Sequence, residues 1–158
     1  MKKINWFKLI VAIIICELAG VIGSIFTSQS VGSWYLTLQK PGFNPPAWIF
    51  GPVWTILFLL MGISLYLVWQ KGLINKKALI FFCSQYVLNI GWSFCFFYLQ
   101  NPLAGFIEIL VLGLFILLTI IYFYKISRAS AYLLIPYLVW VSFAAVLNFF
   151  IYYLNLLT

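Results

Sequence analysis

Residues 103–124 read LAGFIEILVLGLFILLTIIYFY, an unbroken apolar run whose only charge is Glu108. A helix rises 1.5 Å per residue, so about 20 residues cross a hydrocarbon layer about 30 Å thick. This run therefore spans a bilayer once. A barrel strand would alternate apolar and polar positions over about ten residues, and this run does not. Working outward, similar runs lie at 78–99 and 132–154, and two more precede them at 47–69 and 6–28. The sequence thus predicts an all-α membrane protein, a five-transmembrane-helix bundle forming a single domain over residues 1–158.

Composition points the same way. The chain is 66% hydrophobic and 7% charged, whereas soluble domains hold about 45–50% apolar and about 25% charged residues. A core this small cannot bury so much apolar side chain, so lipid has to solvate the remainder. Pro52 and Pro136 fall near predicted helix starts, where a missing N–H costs least. The first run follows Lys2 and Lys3 as a signal peptide would, but its apolar character continues past Glu17 to Phe26. Cys16 follows Ile15, not the small residue of a lipoprotein cleavage site. The run is expected to stay as a span.

Charge placement orients the bundle. With five spans, Lys2, Lys3, Lys8, Lys71, Lys76, Lys77, Lys125 and Arg128 share one side, and Lys40 alone takes the other. Cytoplasmic flanks are the lysine-rich ones, so a multi-pass protein of the cell membrane is expected, with its N-terminus cytoplasmic and its C-terminus external. The +7 net charge is then a signal of orientation and lipid contact. It is split among short membrane-edge segments without a continuous basic face, and no nucleic-acid partner is expected. Cys16, Cys83 and Cys95 fall inside spans without paired spacing, and the chain has no histidine. No metal site and no Cys–His nucleophile are expected, and the thiols read as buried and inert.

The seven tryptophans divide by depth. Trp6 and Trp69 suit an inner interfacial belt, and Trp34 and Trp48 an outer one. Trp54, Trp92 and Trp140 lie deeper, with Trp54 and Trp92 about 10 Å from the outer ends of their helices and Trp140 towards the inner half of its own. Lipid offers their N–H groups no acceptor, so they should point into the bundle. Asn89 precedes Trp92 by three positions and shares its face. Trp140, Ala144 and Asn148 step by four along the last span, with Asn148 again about 10 Å deep. These residues outline a cavity opening outward, or else a packed core with amide-mediated helix pairing. Glu17 and Glu108 complete the intramembrane polar set without a cationic partner in sight. Ala19 with Gly23, and Gly20 with Ser24, permit close helix approach within one chain or between two. The long connection 29–46, stiffened by Pro41, Pro45 and Pro46 and carrying Trp34, with Trp48 just beyond it, reads as a lid over the outer end.

The run from Trp34 to Trp69, Leu88-Asn89 with Trp92, and Pro136-Tyr137-Leu138-Val139-Trp140 followed by Phe143-Ala144 and Leu147-Asn148 together resemble the tryptophan-rich sensory protein and translocator protein family, also called peripheral benzodiazepine receptors. The resemblance covers essentially the whole chain. It implies a five-helix bundle, often a homodimer, that binds porphyrins such as protoporphyrin IX. It maps the ligand cavity to Trp54, Asn89, Trp92, Trp140, Ala144, Leu147 and Asn148. The chain reads as a bacterial member. Animal members bind cholesterol and carry a recognition pattern near the end of the last helix, but here Tyr152 and Tyr153 are followed by no cation. The pattern at Leu118, Tyr122 and Lys125 is too permissive to count.

Three functions follow as expectations. The first is a tetrapyrrole sensor or scavenger in the membrane. The second is a transporter of porphyrins or of other hydrophobic ligands such as sterols, although no internal repeat is visible and five spans do not divide evenly. The third is light-dependent oxidative breakdown of bound porphyrin, which the resemblance suggests. That chemistry needs no resident cofactor, because the porphyrin absorbs the light and oxygen is the oxidant. Trp54 and Trp140, brought together from the second and fifth spans, would carry the radical.

Overall fold

A helix clothed in apolar side chains on every face suits a lipid surrounding. In the computed structural model, which describes residues 4–72 and 75–156, five helices are long and apolar enough to cross a membrane. The elements are α1 (Trp6–Ser28), a short α2 (Trp34–Thr37), α3 (Ala47–Gln70), α4 (Lys76–Ser93) running on into a π-helical turn (Phe94–Tyr98), α5 (Pro102–Tyr124), α6 (Arg128–Leu133) and α7 (Ile135–Leu154).

Local chemistry sets the helix ends. The side chains of Asn5, Asn75 and Asn101 accept first-turn N–H groups of α1, α4 and α5, which no helical carbonyl can reach. Pro102 follows Asn101 at the start of α5, where its missing N–H is no loss. Gln100 takes a left-handed backbone, φ 51°, to reverse the chain between α4 and α5. One boundary differs from the hydropathy reading, and one proline sits deeper in its helix than the first turn. The last span starts earlier, at Arg128, and is interrupted at Leu134, because Pro136 has no N–H for the carbonyl of Tyr132. Pro52 lies inside α3, beyond its first turn, and withholds a bond from the carbonyl of Trp48.

The half of the bundle that holds the start of α1 and the end of α3, called inner here, is tight. A Cβ on Gly62 would lie 2.7 Å from Ile13 Cα, so α1 and α3 touch there backbone to backbone. Ser64 Oγ donates to the carbonyl of Ser130 at 2.9 Å, tying α3 to α6. Tyr86 donates to the carbonyl of Ile15 at 2.7 Å, tying α4 to α1. Around these ties pack Ala12, Cys16, Met61, Leu65, Phe82 and Phe123. The small residues of α1 serve packing within the chain: Gly23 faces Ser93, and Gly20 faces Phe58. Cys83 departs from expectation, being exposed on the surface of the bundle, while Cys16 is buried and Cys95 half-buried.

The cations gather at that inner end. Lys8 stands over Trp69 and Arg128 over Tyr124, and Lys71, Lys76, Lys77 and Lys125 border one shallow depression. Lys2 and Lys3 lie outside the described residues. Lys40 sits at the opposite end, over the ring of Tyr35.

The Gly62 contact gives the first prediction. Gly62→Ala forces backbone apart and should cost about 1–3 kcal/mol. Gly51→Ala, whose Cβ meets nothing within 4 Å, should stay within about 0.5 kcal/mol of wild type. Unfolding by sodium dodecyl sulfate, followed by loss of helical circular dichroism, compares the two.

Candidate functional site

Towards the outer side the helices part around a cavity of about 560 Å³, within the range usual for small-molecule sites. Each wall follows from a helical stripe. On α3, Phe50, Trp54 and Phe58 recur every four residues; on α4, Trp92 and Phe96 do the same; on α7, Ala144, Leu147, Asn148 and Ile151 form one face. Ala19, Gly20 and Gly23 of α1 give the side opposite α7 its small residues, and Val31 and Tyr35 form the roof.

Two flat aromatic pairs dominate the walls. Trp54 stacks on Phe58 with centroids 5.4 Å apart and planes at 24°. Trp92 stacks on Phe96 at 5.5 Å and 18°. The polar groups between them are engaged in bracing the wall. Trp92 Nε1 donates to Asn148 Oδ1 at 3.0 Å, and Asn148 Nδ2 donates to the carbonyl of Pro102 at 2.9 Å. This strap joins α4, α7 and the start of α5. Asn89 Nδ2 donates to the hydroxyl of Tyr137 at 2.7 Å, a second link from α4 to α7. Trp54 Nε1 makes no hydrogen bond among the described residues.

The structure brings Trp54, Asn89, Trp92, Ala144, Leu147 and Asn148 to one cavity. It does not bring Trp140 there. That indole packs behind Phe50, centroids 6.0 Å apart, and against Phe143 at 5.5 Å. Its N–H is buried with no acceptor among the described residues. Trp140 does lie in the first half of α7, but its partner Phe50 belongs to the first turn of α3. Trp54 and Trp140 share no ring contact; on α7, the residue packed edge-on to Trp54 is Tyr137. The reading from sequence also passed over Phe50, Phe58, Phe96 and Tyr137. The three phenylalanines stand four residues from Trp54 or Trp92, which was the available signal, and Tyr137 precedes Trp140 by three.

The lid is fastened at several points. Ser30 Oγ donates to the carbonyl of Phe97 at 2.7 Å. Gln39 and Asn155 exchange two bonds, the Gln39 N–H to Asn155 Oδ1 at 3.0 Å and Asn155 Nδ2 to the Gln39 carbonyl at 2.9 Å. Tyr35 packs on Phe96 and Phe97, and burial pushes its phenol above the ordinary tyrosine value. Trp34 rests edge-on against Phe96. Pro45 is half-buried, and Pro46 stands at the N-cap of α3. Trp48 is 75% exposed and points away from the cavity. Among the described residues no cluster of His, Cys, Asp and Glu could hold a metal ion. The walls present flat aromatic faces and small apolar side chains.

Comparison with known proteins agrees with this architecture. Residues 12–154 match the model of the TspO/MBR family. The chain is 49% identical over 152 residues to the tryptophan-rich protein TspO of Archaeoglobus fulgidus, covering 96% of this chain and 99% of that one. It is 47% identical to the protein of the same name from Chlorobaculum tepidum, covering 89% and 91%. The translocator protein of Homo sapiens is 35% identical over 132 residues, covering 81% and 78%.

The strap supplies the second prediction. Asn148→Leu strands the Trp92 N–H and removes the tie to Pro102, and should cost about 1–3 kcal/mol. Trp92→Phe adds little once Asn148 is gone, giving a coupling of about 1–2 kcal/mol in a double-mutant cycle of unfolding free energies. Additive effects would mean that the two side chains act independently.

Proposed function

The chain belongs to the TspO/MBR family, and from that premise we propose that it binds protoporphyrin IX or a related planar tetrapyrrole in the outer cavity, as a membrane-embedded sensor or scavenger. One observation carries the reading. The stacked pairs Trp54–Phe58 and Trp92–Phe96 face a single cavity of about 560 Å³. Flat aromatic faces attract another flat ring by offset stacking and area burial. The amides between them are already bonded to the protein, Asn148 through both its oxygen and its nitrogen. The walls therefore ask few polar groups of a ligand, which suits a macrocycle whose polar substituents lie at its edge.

The placement in the cell is part of the same proposal. The crowding of Lys8, Lys71, Lys76, Lys77, Lys125 and Arg128 at one end supports a cytoplasmic N-terminus, with the lid and C-terminus external. Pairing as a homodimer is supported by the family resemblance.

A light-dependent step is the second reading, favoured by the ring contact that links the cavity-wall residue Phe50 to Trp140. Trp54 stands in the wall itself, and Trp140 one ring behind it. An excited porphyrin that takes an electron from Trp54 leaves an indole radical cation beside a porphyrin radical anion, which passes the electron to molecular oxygen, the terminal oxidant, as superoxide. The porphyrin and oxygen supply this chemistry. The chain's own part is to hold the ring flat against an oxidisable side chain and to keep bulk water out.

Binding should respond to the walls and not to the belt. Trp54→Leu and Trp92→Leu should each cost about 1–3 kcal/mol, a loss of about fivefold to a hundredfold in protoporphyrin affinity. Trp6→Phe, at the far interface, should leave affinity unchanged. Titration followed by porphyrin absorbance reads all three, and equal losses at all three positions would remove the cavity assignment. The second reading has its own measurement. At saturating protoporphyrin under illumination, the double variant Trp54→Phe, Trp140→Phe should lose the defined absorbing product that wild type forms. The same product at the same rate would leave a binding protein only.

A further inference from the structure

Most routes into the cavity are closed. The lid is fastened to the ends of α4 and α7 through Phe97 and Asn155. Rings fill the seam between α3 and α7, Phe50 against Trp140 and Phe43 against Phe143 and Phe150. The seam between α1 and α4 is shut by Phe26 against Phe94 and Tyr98, and that between α4 and α7 by the Trp92–Asn148 bond. The remaining seam, between the outer halves of α1 and α3, is different. Ser24 and Ser28 on α1, and Ala47, Gly51 and Thr55 on α3, border the cavity and are at the same time exposed on the surface of the bundle. Val21 borders it with 57% of its surface open.

We infer that the cavity is entered sideways, from the hydrocarbon of the membrane, through the slot between α1 and α3. The inference rests on the ligand reading above for what passes through, and on the walls alone for where. At the slot's inner end Phe58 closes on Gly20, where a Cβ would lie 2.8 Å from the ring. Above that contact the facing residues are small, and nothing lies within 4 Å of where a Gly51 Cβ would stand.

The polar chemistry of the slot suits an apolar visitor. Ser24 donates to the carbonyl of Val21 at 2.7 Å, Ser28 to that of Ile25 at 3.1 Å and Thr55 to that of Gly51 at 3.0 Å. Every hydroxyl on the path is thus bonded to its own helix. An apolar molecule sliding past breaks none of these bonds and strands no donor, which would otherwise be costly without water. Glu17 is the exception. It borders the cavity about one turn inward of Gly20, half-buried, with no hydrogen bond or ion pair among the described residues.

A plug in a passage changes rates without changing the equilibrium, and that signature tests the slot. In proteoliposomes, protoporphyrin binding is followed by quenching of tryptophan fluorescence after rapid mixing. The first plug is Gly51→Phe. The second is Ser24→Cys, modified after folding with benzyl methanethiosulfonate and released by reductant, with identically treated wild type as the control for the native cysteines. The expected result is association and dissociation at least tenfold slower with Kd within about threefold, restored by reductant. Loosening the lid by Asn155→Ala should leave the rate unchanged. Plugged protein that binds at the wild-type rate, or acceleration by Asn155→Ala alone, would overturn the slot and place entry at the lid. Should wild type bind no protoporphyrin, the ligand reading falls and the slot is read with a bilayer-dissolved aryl diazirine, flashed shortly after mixing. Labelling of the peptide carrying Ala144 and Leu147 should occur in wild type and drop at least tenfold in both plugged forms. Equal labelling would overturn the slot on its own.

Discussion

The structure depends on one constraint: inside a bilayer a polar group has only the protein to bond to. The outer half satisfies it with a strap running from the Trp92 indole through the Asn148 amide to the Pro102 carbonyl. The amide is used at both ends, as acceptor and as donor. Because Pro102 opens α5, its carbonyl lies among the last groups before the membrane surface, and the strap fixes the rims of α4, α5 and α7 to one another. Asn89 repeats the device lower down through Tyr137. Three helices are thereby held open at a set width without filling the space between them, which allows a cavity to persist in a medium that would otherwise reward closer packing.

Side-chain size governs the other half of the design. Where α1 and α3 cross near Ile13 and Gly62 there is room for no side chain at all, and the helices diverge from that point. Phe50, Trp54 and Phe58 widen the gap on the α3 side, while glycine, alanine and serine on α1 leave it empty. The bundle is packed tight at the inner end, where its cations lie, and hollow beneath the lid at the outer end. The depth of a residue therefore separates the packed half from the cavity wall, and Cys16 and Met61 belong to the first as clearly as Trp92 and Asn148 belong to the second.

Much of this was legible in the sequence because lipid imposes simple rules. Length and apolarity located the spans, and the two amides at matching depth pointed to the strap residues before any coordinates. Depth alone failed at Trp140. Counting along a helix fixes height relative to that helix's own end, and α7 carries Asn155 beyond the start of α3, so Trp140 faces the first turn of α3 and not its middle. Which of two rings from facing helices takes the front position is also a matter of packing between helices. Phe50 holds that position and Trp140 stands behind it. The break before Pro136 was legible as a helix start, but α6 continues the span backwards to Arg128, since a proline interrupts a membrane helix without ending it.

The central claim is that a planar ligand lies against Trp54 and Trp92 in the outer cavity. It is tested most directly by the indole N–H resonances of protein labelled with ¹⁵N-tryptophan, recorded in nanodiscs with and without protoporphyrin IX. Ring-current shifts should be large for Trp54 and Trp92, smaller for Trp140 behind Phe50, and absent for Trp6 and Trp48. Shifts confined to Trp6 and Trp48, with Trp54 and Trp92 unmoved, would contradict it and place the ligand at the membrane surface.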